Sequence, residues 1–145
     1  MCGIVGIISS KTIDITPFIL QSLISLENRG YDSSGICSIY PDIENNIQIH
    51  IQKEIFKENK KPTLLLQENL KYTSIPTNIS FGHNRWATHG KKTIYNAHPH
   101  ISNNLEIVLI HNGIIENFME IKTLLLDNSF SFYSETDSEI IANLI

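Results

Sequence analysis

The chain has few cysteines, few basic residues and no long apolar run. These three features argue against a disulfide-rich protein, a protein that binds nucleic acid and a membrane-spanning protein, in that order. Its 145 residues include only two cysteines, Cys2 and Cys37, so a disulfide framework is not expected. Lysine and arginine together number 11 against 15 acidic residues, and the net charge of -4 argues against nucleic acid or a membrane surface as a partner. No apolar stretch reaches the length needed to cross a bilayer. The N-terminus also lacks the basic segment of a signal peptide, so we expect a cytoplasmic protein.

The rest of the composition is that of one globular domain. Hydrophobic residues make up 41% of the chain and charged residues 18%, which is enough for a core without disulfides. Apolar spacing and turn residues predict a series of short elements. Strands are predicted over 4–8, 35–40, 47–51, 79–85, 105–111 and 130–133, and helices over 16–26, 62–70, 118–125 and from a cap at Ser134 or Thr136 to the chain end.

The order and length of these elements predict an α+β fold. Short strands with hairpin-like connections favour mostly antiparallel sheets, and helices on the outer faces would complete a layered domain. The first strand, 4–8, is expected to be buried, Thr16 to cap the first helix, and 76–78 to form a loop. The last helix has no C-cap or stop signal, which predicts a domain truncated at its C-terminus.

The N-terminus combines a nucleophile with a candidate base. Aminopeptidases remove Met1 when the next side chain is small, and Cys2 would then have both a thiol and a free α-amine. An α-amine titrates at about pH 8 and can accept the proton of a thiol. Many proteins have a small second residue, so the alternative is a terminus without chemistry. The apolar strand directly after Cys2 favours a terminus that is tied down, and hence the catalytic interpretation.

Polar and glycine residues gather in further clusters, each at the end of a predicted strand. The cluster 29–35 could be only a stable turn, and Asn112-Gly113 is a common hairpin turn. Asp137 could be a first-turn carboxylate that favours the helix dipole. His98 and His100 alternate, so one could be packed and the other solvated. No metal is expected, because nothing nearby completes a tetrahedral zinc set. Taken together, the clusters predict one pocket. They are 29–35, 85–90 with 98–100, 111–117 and 134–139.

In order along the chain, these clusters resemble the motifs of one enzyme family. The chain is similar to the N-terminal glutaminase domain of the glutamine–fructose-6-phosphate aminotransferases, which are class II glutamine amidotransferases among the N-terminal-nucleophile hydrolases. The resemblance is poor over 41–78, and it departs slightly at Ser34 and Asn84, where the family often has Ala and Thr. The matching motifs are Cys2-Gly3-Ile4-Val5-Gly6, Arg29-Gly30-Tyr31-Asp32-Ser33, Arg85-Trp86-Ala87-Thr88-His89-Gly90, Asn96-Ala97-His98-Pro99-His100, His111-Asn112-Gly113-Ile114-Ile115-Glu116-Asn117 and Ser134-Glu135-Thr136-Asp137.

The resemblance implies a four-layer αββα sandwich of two mostly antiparallel sheets and a site that hydrolyses amides. Cys2 would attack the side-chain amide of glutamine and form a γ-glutamyl thioester, with its α-amine as base and then acid. The side-chain amide of Asn112 and the N–H of Gly113 would stabilise the oxyanion. Cys37, by contrast, is expected to be a buried structural thiol.

The resemblance also implies how glutamine would be held. Arg85 would bind the α-carboxylate, a group that suits a guanidinium, and Asp137 would bind the α-ammonium. Thr88 would add a hydrogen bond at the carboxylate, and Gly113 would also contact the substrate. The other implied positions are Trp86 and His89, in a loop that closes over glutamine, and Arg29 and Gly30, which would help to orient the N-terminus.

Finally, the resemblance implies partners but no cofactor. In the full-length enzyme the ammonia would pass to a sugar isomerase domain that makes glucosamine 6-phosphate for hexosamine and UDP-GlcNAc synthesis, and that enzyme would be a homo-oligomer. We expect no isomerase domain within residues 1–145. One alternative is a different class II amidotransferase, against which Tyr31 and Trp86 argue. The other is a glutamine-sensing module without turnover, against which the intact Cys2, Asn112 and Gly113 argue.

Overall fold

A computed structural model describes residues 2–71, 75–87 and 90–145 of the chain. Its strands are β1 (Gly3–Ile13), β2 (Ser33–Pro41), β3 (Ile47–Ile55), β4 (Thr77–Arg85), β5 (His100–Ile101) and β6 (Val108–Leu109). Its α-helices are α1 (Thr16–Ser25), α2 (Pro62–Leu70), α3 (Phe118–Asp127) and α4 (Ser138–Leu144), and a 3-10 turn covers Glu27–Arg29. The predicted α+β class is confirmed. No helix in these three ranges is long and apolar enough to cross a membrane.

Four strands form the main sheet, in the order β1-β4-β2-β3, and β5 pairs with β6 in a small second sheet. Every one of these strand pairs is antiparallel, as predicted. Paired residues of antiparallel strands have their side chains on the same face of the sheet, so the strand register shows which side chains lie on which face. One set faces α1 and α2, and the other faces away from them.

The core lies between the sheet and the first two helices. Ile19 and Leu23 of α1 are fully buried, and they pack in one cluster with Leu66 of α2 and Ile36 of β2. A Cβ atom at Gly82 would come within 2.9 Å of Leu23 and 3.0 Å of Ile19, so α1 needs a glycine beneath it. This packing fixes β4, whose end leads into the candidate site.

The first strand is not buried, in contrast to the prediction. β1 is an edge strand that pairs with β4, and its side chains alternate between the two faces of the sheet. Val5 and Ile7 pack against the core, whereas Ile4 is 44% and Ile8 83% exposed on the opposite face. A run of apolar residues therefore predicted the strand correctly but not its place in the sheet.

Two other strand predictions differ from the structure, one in the length of the strand and one in whether a strand forms. The run 105–111 forms a strand only at Val108–Leu109. The segment 130–133 forms none, since the Ser131 N–H donates to Asn103 Oδ1 at 2.8 Å and the Ser131 carbonyl accepts from Asn103 Nδ2 at 3.0 Å. The predicted loop 76–78 is also wrong at its end, because Thr77 opens β4.

The predicted helix caps are wrong as well. Ile15 is the N-cap of α1, and the hydroxyl of Thr16 instead shares a hydrogen bond with Ser38. α4 begins after Asp137, whose side chain makes no capping bond. The carboxylate of Glu139 reaches back instead and accepts hydrogen bonds from the N–H and hydroxyl of Ser134.

Candidate active site

A cavity of about 770 Å³ lies where β1 begins and β4 ends. It brings together side chains from the N-terminus and from all of the predicted polar clusters. The lining includes these predicted positions: Cys2, Arg29, Arg85, Trp86, Asn112, Gly113 and Asp137. It also includes His98, His111, Ile114, Phe118, Glu135, Thr136 and Ser138.

The pairing of β1 with β4 sets the position of the Cys2 thiol. Gly3 lies opposite Asn84, so Cys2 comes next to the residues that follow β4. The Trp86 N–H donates to Cys2 Sγ at 3.3 Å, and the thiol lies 3.7 Å from the Trp86 carbonyl oxygen. The half-buried Cys2 is therefore held at the mouth of the loop that begins at Trp86.

Asn112 contacts the same end of the chain. Its Nδ2 donates to the carbonyl oxygen of Cys2 at 3.2 Å, and its Oδ1 lies 2.9 Å from Nε2 of His83. A Cβ atom at Gly113 would lie 2.5 Å from Nε2 of His111, so this position has no room for a side chain. The segment after β6 thus places a side-chain amide beside Cys2 and a glycine in the lining of the same cavity.

Arg85 and Asp137 supply opposite charges to the cavity. Arg85 is only 6% exposed, and its Nη1 donates to the Lys91 carbonyl at 3.3 Å. Burial lowers the pKa of Arg85, while the nearby charges of Cys2 and Asp32 act in the opposite direction. Arginine stays protonated in proteins even so, and the site keeps a cation.

The carboxylate of Asp137 makes no hydrogen bond that caps α4. Its Oδ2 accepts the Ile115 N–H at 2.8 Å, and Oδ1 accepts the Ser138 hydroxyl at 3.3 Å. Asp137 therefore ties the segment after Gly113 to the start of α4. One carboxylate borders the cavity and also fixes its wall.

Sequence reasoning did not single out the side chains of Asp32, Asn96 and Glu135, which hold segments near Trp86 in place. The buried Asp32 accepts the Ala87 N–H at 2.8 Å through Oδ2 and pairs with Lys92 at 2.6 Å through Oδ1. Asn96 accepts the Glu135 N–H at 2.8 Å and donates to the Glu135 carboxylate at 3.1 Å. The motifs of the resemblance contain Asp32, Asn96 and Glu135, but only tertiary contacts show which parts of the chain these residues join.

Three histidines pack against one another at the cavity, and His98 is the one that lines it. The ring centroids of His83 and His98 are 4.4 Å apart, and those of His98 and His100 are 4.6 Å apart. Burial lowers the pKa of His83 to about 4, of His100 to about 3 and of His98 further still. Both His98 and His100 are buried, so the alternative with one of them solvated is wrong. Within the described residues, no three histidine, cysteine or acidic side chains could hold a metal ion.

The remaining predicted positions differ in how they relate to the cavity. Gly30 does not line it but packs behind it, since a Cβ atom there would lie 2.7 Å from the carbonyl carbon of Arg85. The Trp86 ring lies 5.7 Å from that of Tyr31. Met1, Thr88 and His89 lie outside the described residues.

Known proteins resemble the chain across its whole length. The family model of the glutamine amidotransferase domain matches residues 69–145. The chain is 41% identical over 144 residues to glutamine–fructose-6-phosphate aminotransferase (isomerizing) from Chlamydia caviae. It is 44% identical over 145 residues to the protein of that name from Pyrococcus horikoshii. These alignments cover 99% and 100% of the chain but only 22% of each relative, so the chain spans about a fifth of their length.

Proposed function

The chain belongs to the glutamine amidotransferase family, and from this premise we propose that it hydrolyses L-glutamine to glutamate and ammonia at Cys2. The observation that supports this best is the direct contact between Cys2 and Asn112 within one cavity. A thiol beside a side-chain amide donor provides both a nucleophile and a group that can stabilise an oxyanion.

In the proposed mechanism Cys2 Sγ attacks the side-chain amide carbon of glutamine. Once Met1 has been removed, the α-amine of Cys2 takes the thiol proton and later gives it to the leaving ammonia. A γ-glutamyl thioester remains, and water hydrolyses it to glutamate. Asn112 Nδ2 and the Gly113 N–H stabilise the oxyanion in both steps, and the loss of one such donor typically costs about 3 kcal/mol of transition-state stabilisation.

The charged side chains of the cavity select the amino-acid end of the substrate. Arg85 binds the α-carboxylate and Asp137 binds the α-ammonium, because both side chains line the cavity that contains Cys2. Thr88 adds a hydrogen bond at the carboxylate, and Trp86 and His89 belong to the loop that closes over glutamine. Arg29 and Gly30 help to orient the N-terminus.

We also propose the four-layer αββα sandwich for the complete domain. The sheet face turned away from α1 and α2 is largely apolar and includes the exposed Ile4 and Ile8. A second sheet packed on this face would bury these side chains. Their burial would contribute about 25 cal/mol for each Å² of apolar surface removed from water.

The names of the relatives support a proposal for the activity of the complete protein. Because they are named glutamine–fructose-6-phosphate aminotransferases (isomerizing), we infer that the ammonia serves the synthesis of glucosamine 6-phosphate from fructose 6-phosphate. A sugar isomerase domain elsewhere in the complete chain takes up that ammonia. The protein works in the cytoplasm, where a thiol such as Cys2 stays reduced.

Release of ammonia from L-glutamine by the complete protein tests this function. Cys2→Ala should abolish the release and still bind glutamine, whereas Cys37→Ser should keep it, because Cys37 is fully buried in the sheet. A thiol-reactive glutamine analogue should label Cys2. Glutamine binding without turnover by the wild-type protein would favour the sensing module, and turnover by Cys2→Ala at the wild-type rate would exclude Cys2 as the nucleophile.

A further inference from the structure

His83 occupies a fixed position between the sheet and the cavity. It lies on β4 opposite Ile4 of β1 and Gly35 of β2, and it is only 1% exposed. The missing side chain of Gly35 lets the backbone of His98 lie against the sheet, and the His98 ring then packs on that of His83. The His83 ring therefore has little freedom to turn.

The hydrogen bond from His83 to Asn112 has a defined direction. Burial lowers the pKa of His83 to about 4, so the ring is neutral at pH 7 and has one N–H. Nε2 lies 2.9 Å from Asn112 Oδ1, and an oxygen can only accept. Nδ1 has no partner in the part of the chain that the structure describes. The proton therefore belongs on Nε2, because a proton on Nδ1 would leave a buried donor unsatisfied.

The other end of the Asn112 amide supports the same assignment. Nδ2 donates to the carbonyl oxygen of Cys2 at 3.2 Å. With the amide turned over, Oδ1 would face that carbonyl, so two acceptors would meet. The turned amide would also make His83 accept at Nε2 and leave a buried N–H at Nδ1. Both ends of the amide thus fix Nδ2 on the side of Cys2.

We propose that His83 is a positioning residue, which holds the Asn112 amide with Nδ2 toward Cys2 so that this group can donate to the oxyanion. The proposal rests on the glutamine hydrolysis proposed above. Nδ2 has two hydrogens, and the bond to the Cys2 carbonyl uses one of them, so the second is available for the reacting amide. Asn112 is exposed and lies outside regular structure, and its side chain forms hydrogen bonds with His83 and with Cys2.

The effect of His83 should appear in kcat rather than in KM. The oxyanion exists only in the transition state and the intermediates, so a misplaced Nδ2 leaves the binding of glutamine nearly unchanged. Loss of a complete oxyanion donor lowers kcat by about 100- to 1,000-fold. A donor that is present but no longer held in place should cost less, and we expect a loss of about 10- to 100-fold for His83→Leu.

The test is a double-mutant cycle on ammonia release by the complete protein. His83→Leu is measured in the wild-type and in the Asn112→Ala background, with kcat and KM determined for each. His83→Gln and His83→Asn form a second pair of variants, since only the longer glutamine side chain can place an N–H near the position of Nε2. His50→Leu is the matched control, because His50 lies in the same sheet on the face toward the helices.

We expect His83→Leu to lower kcat only where Asn112 is present, with KM within about threefold of wild type. His83→Gln should retain most of the kcat that His83→Leu loses, whereas His83→Asn should not. His50→Leu should have the same kcat and KM as the wild-type protein. An equal loss of kcat in both backgrounds would overturn the proposal, and so would equal activities of the Gln and Asn variants. If the wild-type protein is active and His83→Leu lowers kcat equally in both backgrounds, only the role of His83 is refuted. If the wild-type protein is inactive, the proposed function is refuted as well.

Discussion

Replacement of Gly35 by alanine should strongly destabilise the domain, because this strand position touches the backbone of a loop. A Cβ atom at residue 35 would lie 2.0 Å from the His98 carbonyl oxygen and 3.0 Å from Pro99 Cδ. Real Cβ atoms essentially never come within 3.0 Å of another heavy atom, so the loop would have to move by about 1 Å. Overpacking typically costs about 1–3 kcal/mol, and a collision between two backbone segments belongs at the upper end.

Gly6→Ala provides the matched control in the same sheet. There the new Cβ atom would lie 3.6 Å from Phe81 Cβ, which is an ordinary contact. The alanine at residue 6 should even stabilise the domain slightly, because it restricts the unfolded chain.

Thermal unfolding of the two variants measures the difference directly. For a chain of this size about 3 kcal/mol corresponds to a fall in Tm of roughly 10 °C, so Gly35→Ala should melt about that far below the wild-type protein or fail to fold. A Gly35→Ala variant that melts within about 2 °C of the wild-type protein would refute this account of how the His98 loop packs on the sheet.

Three further predictions concern acid stability, substrate binding and the N-terminus. An unfolded histidine binds a proton below about pH 6.5, whereas burial holds the pKa of His83 near 4, so the free energy of unfolding should fall by about 2 kcal/mol between pH 6.5 and 5 through His83 alone. Urea midpoints that do not change over this range would contradict the burial of a neutral ring. Asp137→Asn should raise KM for glutamine by roughly ten- to a hundredfold, with little change in Tm because the amide oxygen can still accept the Ile115 N–H. An unchanged KM with a lowered Tm would leave Asp137 a purely structural role. Protein that retains Met1 should be inactive, since the nitrogen of Cys2 is then a peptide amide with no basicity. Glutamine hydrolysis by a homogeneous Met1-bearing sample would exclude the α-amine as base.

Local patterns were enough to predict most of the helices and the pieces of the site. The helix α2 matches its predicted range, 62–70, because proline opens it and leucines repeat on one side. The polar clusters were visible as motifs, and seven of the predicted positions do line one cavity. Each of these features depends on residues that are close together in the sequence.

The rest of the fold depends on which distant segments meet. Nothing in the apolar run of β1 indicates that this strand lies at a sheet edge, where Ile8 stays 83% exposed. The run 105–111 is equally apolar, but it pairs only through two residues because β5 is just as short. Pairing partners of this kind are not encoded in the local pattern.

The contact between His83 and Asn112 was invisible in the sequence for the same reason. The residue lies on β4, two positions before the motif that begins at Arg85, and it meets Asn112 only when β1, β2 and the segment after β6 close around it. Asp32 and Asn96 were part of recognised motifs, yet their bonds to the loop after Trp86 also join distant segments. The motifs predicted residues that line one cavity, and the tertiary contacts show how these residues are held there.

The most direct test of the central claim is to trap the acyl group during turnover. The complete protein, freed of Met1, is mixed with L-glutamine and quenched rapidly in acid, and its peptides are analysed by mass spectrometry. We expect one γ-glutamyl group on the N-terminal peptide, attached to Cys2, and a larger fraction of this acylated peptide when hydrolysis of the thioester is slowed. A protein that releases ammonia with an unmodified N-terminal peptide at every quench time, and that still does so as Cys2→Ala, would contradict it.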